Sequence, residues 1–521
     1  MTDTRKRMGV AAAIMMSSVF LSRILGYARD AVIAYTMGAT KATDAYFAAF
    51  TIPDFLNYLV AGASLSITFI PIYTSYVESG RVDEGNRVFS AIFCTLLTIL
   101  VAFIVLAEVG AEHLVPFIAP GFSPEELSLT AHLTRIVLPA QAFFYAGGLF
   151  MAVQYSRGKF LVPALAPLIY NTGIIAGGLL LGKTVGIEGF AWGVLGGSFV
   201  GNFLLQAIGA FSAGLRITFS FDVRHEGFRE FIRLSIPIML GFSLVFVDEW
   251  MMRLFGSFLV AGAITWLNNA RRLCQVPIGI LGQASGVASY PFLARHFARG
   301  ETHRLFSDLK YAFDWVFTGS VLAGALLFLL SKEVVYLVFK RGAFTTHDAF
   351  NTGIALSIFS LGIPFWCGQN ILARGYFAAR DTLTPTIIGT AIFLLTLPLY
   401  YILMLRHGVR GLAGASTVGI FLHTAVLFGF LYRKMKVPFR LSHLRTPLLS
   451  LMAGGISATA GFFLIQKASS LARWDSYGGA ALRMAVVGGA VSALYLALCS
   501  LLGVEQARDI VGKFIPTVRR T

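Results

Sequence analysis

Charge is what this sequence has little of. Of its 521 residues, 13% are Asp, Glu, Lys or Arg and 56% are hydrophobic, with a mean hydropathy of +0.73. A water-soluble chain of this length would cover itself with far more polar surface. Cysteine is scarce too. Cys94, Cys274, Cys367 and Cys499 sit singly in or near apolar runs, which excludes a disulfide framework and any paired metal or redox motif. H-E-x-x-H and G-x-S-x-G are absent. The string from Gly177 to Thr184 satisfies G-x-x-x-x-G-K-[ST], but it closes an apolar run instead of joining a strand to a helix, so no phosphate cradle is expected there.

What the chain has instead is long apolar runs, each sufficient for about 30 Å of hydrocarbon. Backbone amides must be satisfied internally in lipid, and no alternating barrel strands are visible, so the spans are helices. Runs and polar breaks predict about fourteen, near 9–37, 43–76, 87–110, 130–156, 160–182, 187–213, 230–254, 258–295, 308–339, 348–378, 383–405, 409–432, 446–466 and 480–503. Arg5, Lys6 and Arg7 precede the first run, but the apolar pattern continues beyond it, predicting an uncleaved helix rather than a signal peptide. The net charge of +16 comes from Lys and Arg gathered in alternate loops. With the N-terminus in the cytoplasm, the inner segments hold about 25 basic residues and the outer ones about nine, which places both termini in the cytoplasm. The stretch around 111–129, with Glu112, Glu125 and Glu126 and no Lys or Arg, reads as a long outer loop.

Two passages recur. Pro71–Gly80 and Pro291–Gly300 share their Pro-to-Gly spacing, and each is followed by R-x-F-S, at Arg87–Ser90 and Arg304–Ser307. Gly186 and Gly408 each open G-x-x-G-h-A. The offsets, 220 and 222, span six helices, an even number, so the copies have one orientation and should pack as two parallel lobes around a central cavity. The expected architecture is all-α and polytopic: an N-lobe over 1–222, a C-lobe over 223–440, and a helix pair with a cytoplasmic tail over 441–521.

Charges inside the spans carry the functional signal. Arg23, Arg29 and Asp30 lie in the first span, Asp44, Asp54 and Asn57 in the second, Asp248, Glu249 and Arg253 in the seventh, and Arg271 and Arg272 in the eighth. A charge near a span centre costs about 2.5–3.5 kcal/mol by insertion scales, so these groups must pair or line water. Arg23 and Asp30 are seven apart and share a helix face, with Arg29 pointing elsewhere. Guanidinium stays charged and presents a fork that fits phosphate, so Arg23 and Arg272 are the leading contacts for an anionic substrate. An exporter of organic cations would want an acidic cavity. An enzyme acting on lipid-linked sugars would want catalytic acids or a His in a sizeable outer loop, where only Glu112, His113, Glu125 and Glu126 occur; no enzyme is expected.

The run from Ser22 to Asp30 (SRILGYARD), Ala42 to Phe55 (ATDAYFAAFTIPDF), Phe69–Pro71, and the W-x-x-x-A-x-R-L-x-x-x-P pattern from Trp266 to Pro277 together resemble the MurJ/MviN lipid II flippases of the multidrug/oligosaccharidyl-lipid/polysaccharide exporter superfamily. The resemblance implies export of an undecaprenyl-diphosphate-linked peptidoglycan precursor from the inner to the outer leaflet of the bacterial inner membrane by alternating access. It implies diphosphate contacts from Arg23, Arg29 and Arg272, matches at Asp44 and Thr265, and a groove for the lipid tail beside the last two helices; together with Asp30, Asn57 and Gln275 these residues make up the candidate substrate site. Membrane lipids, and other cell-wall synthesis proteins, are the partners it implies; nucleic acid is not. Asn57 stands where many members have Arg, and Gly62 and Gln275 where they carry acids, so another polyprenyl-diphosphate glycan, or a cation-coupled drug exporter, is the alternative. No cofactor or metal is expected, and the coupling ion or use of membrane potential stays open. Asp248 matches the aspartate of a sodium site described in some members, but Pro398 and Tyr400 occupy the region where an Asn/Asp pair would stand, and the site is not carried over.

Overall fold

The computed structural model describes residues 2–58, 68–239, 244–468 and 473–514, and all regular structure among them is helical. By its internal contacts the chain forms two units, Met1–Gly241 with Val260–Gly262, and Phe242–Leu259 with Ala263–Thr521.

The first unit holds α1 (Thr2–Met37), α2 (Lys41–Ala49), α3 (Thr51–Leu56), α4 (Ile70–Glu78), α5 (Val82–Val109), α6 (Ala111–Ile118), α7 (Pro124–Val137), α8 (Ala140–Ser156), α9 (Leu161–Val185), α10 (Glu188–Ser198), α11 (Leu205–Ser212) and α12 (Glu226–Met239). Its core is aromatic, with Phe69, Tyr73, Phe89 and Phe150 buried together. The phenols in it are satisfied: Tyr73 donates to Asn86 at 3.0 Å and Tyr145 to the Ile92 carbonyl at 3.0 Å. Phe228 and Phe231 of α12 join this core, so α12 packs with the first unit although the sequence boundary at 222/223 puts it in the second lobe. Where α9 meets α10, a Cβ on Gly173 would lie 2.6 Å from Gly197 Cα, and one on Gly177 2.6 Å from Gly193 Cα. Only hydrogen fits between these backbones, the small-residue packing that holds helices together in lipid. The nucleotide-like string at Gly177–Thr184 therefore lies inside α9 and forms no loop.

The second unit holds α13 (Leu244–Gly256), α14 (Ala263–Pro277), α15 (Ala284–Ala298), α16 (Thr302–Leu329), α17 (Ser331–Phe339), α18 (Thr346–Ser360), α19 (Ile363–Ala378), α20 (Leu383–Met435), α21 (Arg445–Ala468), α22 (Tyr477–Leu501) and α23 (Glu505–Phe514). A buried ion pair, Arg483 to Glu333 at 3.0 Å, fastens α22 to α17.

Among the described residues eight helical runs are long and apolar enough to cross a membrane, nine if the α18–α19 pair, bent by 46°, is one span. The predicted count of fourteen is not reached by this measure. One helical run, Leu383–Met435, contains two predicted spans, because only Gly408 interrupts it. The span predicted at 43–76 breaks: Pro53 has no N–H to return to Ala49 and its ring crowds that carbonyl, so α2 stops and α3 begins. The outer loop expected around 111–129 is largely helical. It contains α6 and the first turn of α7, where the Ser123 hydroxyl accepts the Glu126 N–H at 3.4 Å and the Glu126 carboxylate accepts the Ser123 N–H at 3.0 Å.

The repeat is written in the backbone. Gly80 and Gly300 follow α4 and α15 at φ +76° and +70°. Gly186 and Gly408 adopt φ +62°, ψ −133° and φ +54°, ψ −129°. The Ser123–Glu126 capping box has its counterpart 222 residues on, in Thr345–Asp348 at the start of α18. Left-handed positions also recur as Gly158 with Arg380 and Gly214 with Lys436. The two non-glycine members show that the conformation, not the residue, is what repeats.

Candidate functional site

On α1, Arg29 holds Asp30. Its Nε donates to Asp30 Oδ1 at 2.9 Å, a second guanidinium nitrogen lies 2.7 Å from the same oxygen, and a third donates to Asn171 Oδ1 of α9 at 3.2 Å. Asp30 is buried and Arg29 nearly so. Adjacent residues on a helix diverge by about 100° in direction, yet the flexible Arg stem lets its head fold back. This corrects the expectation that Arg29 points away from Asp30. Arg23, about two turns before Asp30, is exposed.

Asp44 is buried in the first turn of α2 and accepts the Gly262 N–H at 2.7 Å. That bond ties Val260–Gly262 back to the first unit. A carboxylate oxygen at a backbone amide is a charge-assisted bond, stronger than a neutral one. Asn57 caps α3 and is half-buried, and Gly62 lies outside the described residues.

α14 is two-faced. Thr265, Arg272 and Gln275 are spaced seven and three apart and share one side, with Thr265 buried and Arg272 and Gln275 half-buried. Arg271 lies one step round and enters a different environment. It pairs with Asp248 of α13, lies 3.7 Å from Glu249, and stacks over the Trp366 ring of α19 at 5.2 Å. Asp248 also accepts from Tyr400 and, at 3.0 Å, from Ser416, residues on either side of the Gly408 break in α20. Three helices, α13, α14 and both halves of α20, thus meet on one buried carboxylate. The donor set does not fit a sodium ion at Asp248, because Arg271 and the two hydroxyls already engage both carboxylate oxygens and a second cation beside the guanidinium would be repelled. Among the described residues no three His, Cys, Asp or Glu side chains gather as a metal site.

Trp266, the tryptophan of the sequence signature, donates its indole N–H to Asp348 Oδ1 at 3.0 Å, while the other oxygen of Asp348 caps α18. Sequence reasoning missed Asn171, Ser416, Trp366 and Asp348. A T-x-x-D capping pattern made only Asp348 legible; the others are single polar residues in apolar runs.

A cavity of about 450 Å³ opens among α16, α18, α19 and α21, lined by Val321, Phe328, Leu451 and Phe462 together with Gly324 and Gly454. Its lining is overwhelmingly apolar.

The profile of the family described as lipid II flippase MurJ matches residues 33–477. A probable lipid II flippase MurJ of Haemophilus influenzae is 30% identical over 426 residues, covering 78% of this chain and 83% of that protein. Among solved structures, a lipid II flippase MurJ in an inward closed conformation superposes with a TM-score of 0.77 at 23% identity, over 96% of this chain and all of the other. An inward-facing multidrug resistance MATE transporter of the MOP superfamily gives a TM-score of 0.65 at 13% identity, over 82% and 98%. With the profile match running across most of its length, the chain belongs to the lipid II flippase MurJ family.

Proposed function

We propose that this protein is a lipid II flippase of the bacterial inner membrane. It moves the undecaprenyl-diphosphate-linked peptidoglycan precursor from the inner to the outer leaflet by alternating access, as a transporter and not as a catalyst. Family membership over residues 33–477 is the observation that carries this reading. The physical support is the persistence of cations in an apolar chain. A diphosphate has no low-energy passage through hydrocarbon, and guanidinium groups on helices offer it one. Arg23 and Arg272 serve as the diphosphate contacts, and Arg29, held by Asp30 and Asn171, sets the local field on α1. Asn57, Thr265 and Gln275 give the polar lining near the headgroup, while Asp44 positions the segment at Gly262. The apolar cavity beside α21 suits the prenyl tail.

Expression in a strain depleted of its own lipid II flippase, with a leaflet-resolved assay of the precursor, tests the reading. The wild-type chain restores growth and outer-leaflet precursor. Arg23→Ala and Arg272→Ala accumulate in the membrane but fail to rescue, and Arg272→Lys rescues in part. Full rescue by both alanine variants removes the cations from the transport path; failure of the wild type removes lipid II as the substrate. Both termini are proposed to be cytoplasmic. Ser442 is exposed between α20 and α21, and a Ser442→Cys variant should react with an impermeant maleimide only from the cytoplasmic side. Labelling from outside alone reverses the orientation.

A further inference from the structure

We infer that Arg271 is a tethered cation: it fills, within the second unit, a monovalent cation site that Asp248 and its hydroxyl partners would otherwise form. The site is built from parts distant in sequence. Asp248 comes from α13, Tyr400 from the first half of α20, Ser416 from the second half, and Arg271 from α14, with Glu249 3.7 Å from the Arg271 Nε and Trp366 beneath the guanidinium. Asp248 is 6% exposed and Arg271 11%. A buried carboxylate with two hydroxyl oxygens beside it offers a small hard cation the oxygen donors it prefers, and leaving that carboxylate uncompensated in an apolar span is costly. The chain supplies the positive charge covalently. The cation therefore neither dissociates nor depends on ionic conditions, and the packing of α13, α14, α19 and α20 around it is independent of free Na⁺.

This inference concerns cation occupancy alone and stands whichever lipid is moved. Thermal unfolding of the full chain in nanodiscs, compared in choline chloride and in sodium chloride at equal ionic strength, tests it. The wild type should unfold at the same temperature in both salts, and so should Arg271→Lys, which keeps a tethered charge. Arg271→Ala opens the site. Its unfolding temperature should be lower in choline and should rise in sodium by about 2 °C, the size expected for a saturating ligand on a chain of this length. Adding Asp248→Asn to Arg271→Ala should abolish that rise. Sodium stabilisation of the wild type that Asp248→Asn removes overturns the inference, as does a folded Arg271→Ala that ignores sodium. If Arg271→Ala does not accumulate, Arg271→Gln takes its place, and the comparison of wild type with Asp248→Asn still decides.

Discussion

The turns at Gly186 and Gly408 make a sharp test because backbone strain can be separated from crowding at both. Their φ values of +62° and +54°, with ψ near −130°, lie in a region that L side chains scarcely enter. Space is not the constraint. A Cβ on Gly186 would meet nothing within 4 Å, and one on Gly408 would sit 3.8 Å from Leu259 Cδ2, an ordinary contact. Alanine at either position should therefore cost only the backbone term, about 1–3 kcal/mol. The two glycines lie in different units and share no partner, so the double variant should lose the sum. Gly429 supplies the control. It lies inside α20 in a helical conformation with open space around it, so Gly429→Ala should gain about 0.5–1 kcal/mol. Gly177→Ala supplies the contrast, because its Cβ would collide with Gly193 rather than strain the chain. Fluorescence-detected size-exclusion thermal scans of the purified variants rank the set. If Gly186→Ala and Gly408→Ala unfold together with Gly429→Ala, the reasoning from left-handed backbone fails.

The pair Arg483–Glu333 predicts an asymmetry: Glu333→Ala or Arg483→Ala alone should cost about 3–5 kcal/mol by stranding a buried charge, whereas Glu333→Leu with Arg483→Met should recover most of it. Equal losses in the single and double variants, in the same thermal scans, argue against a charge effect. Asp381, in the turn between α19 and α20, gives a pH signature. Burial alone would raise its pKa, but hydrogen bonds from Lys434 at 2.8 Å and from Thr384 at 2.9 and 2.8 Å hold it below the usual carboxylate value. Such a group stabilises the fold above its unfolded pKa of about 3.9, and the contribution is lost as pH falls through the folded value. Lys434→Ala should therefore be less stable than wild type at pH 7, with the gap closing below about pH 4. A gap that does not change with pH refutes the assignment.

Much of the site can be read from sequence for a simple reason. In an apolar chain every charge is costly, so each one draws attention by its type alone, as Arg23, Arg29, Asp30, Asp44, Arg271 and Arg272 do. Their partners are another matter. Arg29 meets Asn171 at a separation of 142 residues, and Asp248 meets Ser416 at 168. A lone Asn or Ser in an apolar run has the same appearance whether it ligates, caps or merely packs. Helical periodicity assigned Asp30 to the face of Arg23, and a flexible side chain reassigned it to Arg29.

The sequence by itself determined that the chain is helical and membrane-spanning, because hydrocarbon leaves only helices or closed barrels to satisfy the backbone and no alternating strands occur, and that it is a duplication, because left-handed turns leave glycines at fixed offsets. Tertiary structure alone decided what surrounds each cation. Arg271 and Arg272 are neighbours of one residue type, and only the packing of α13, α19 and α20 around one side of α14 joins the first to Asp248, while the second lies on the other face. Charge is a property of the residue; compensation is a property of what three-dimensional packing brings within reach of it.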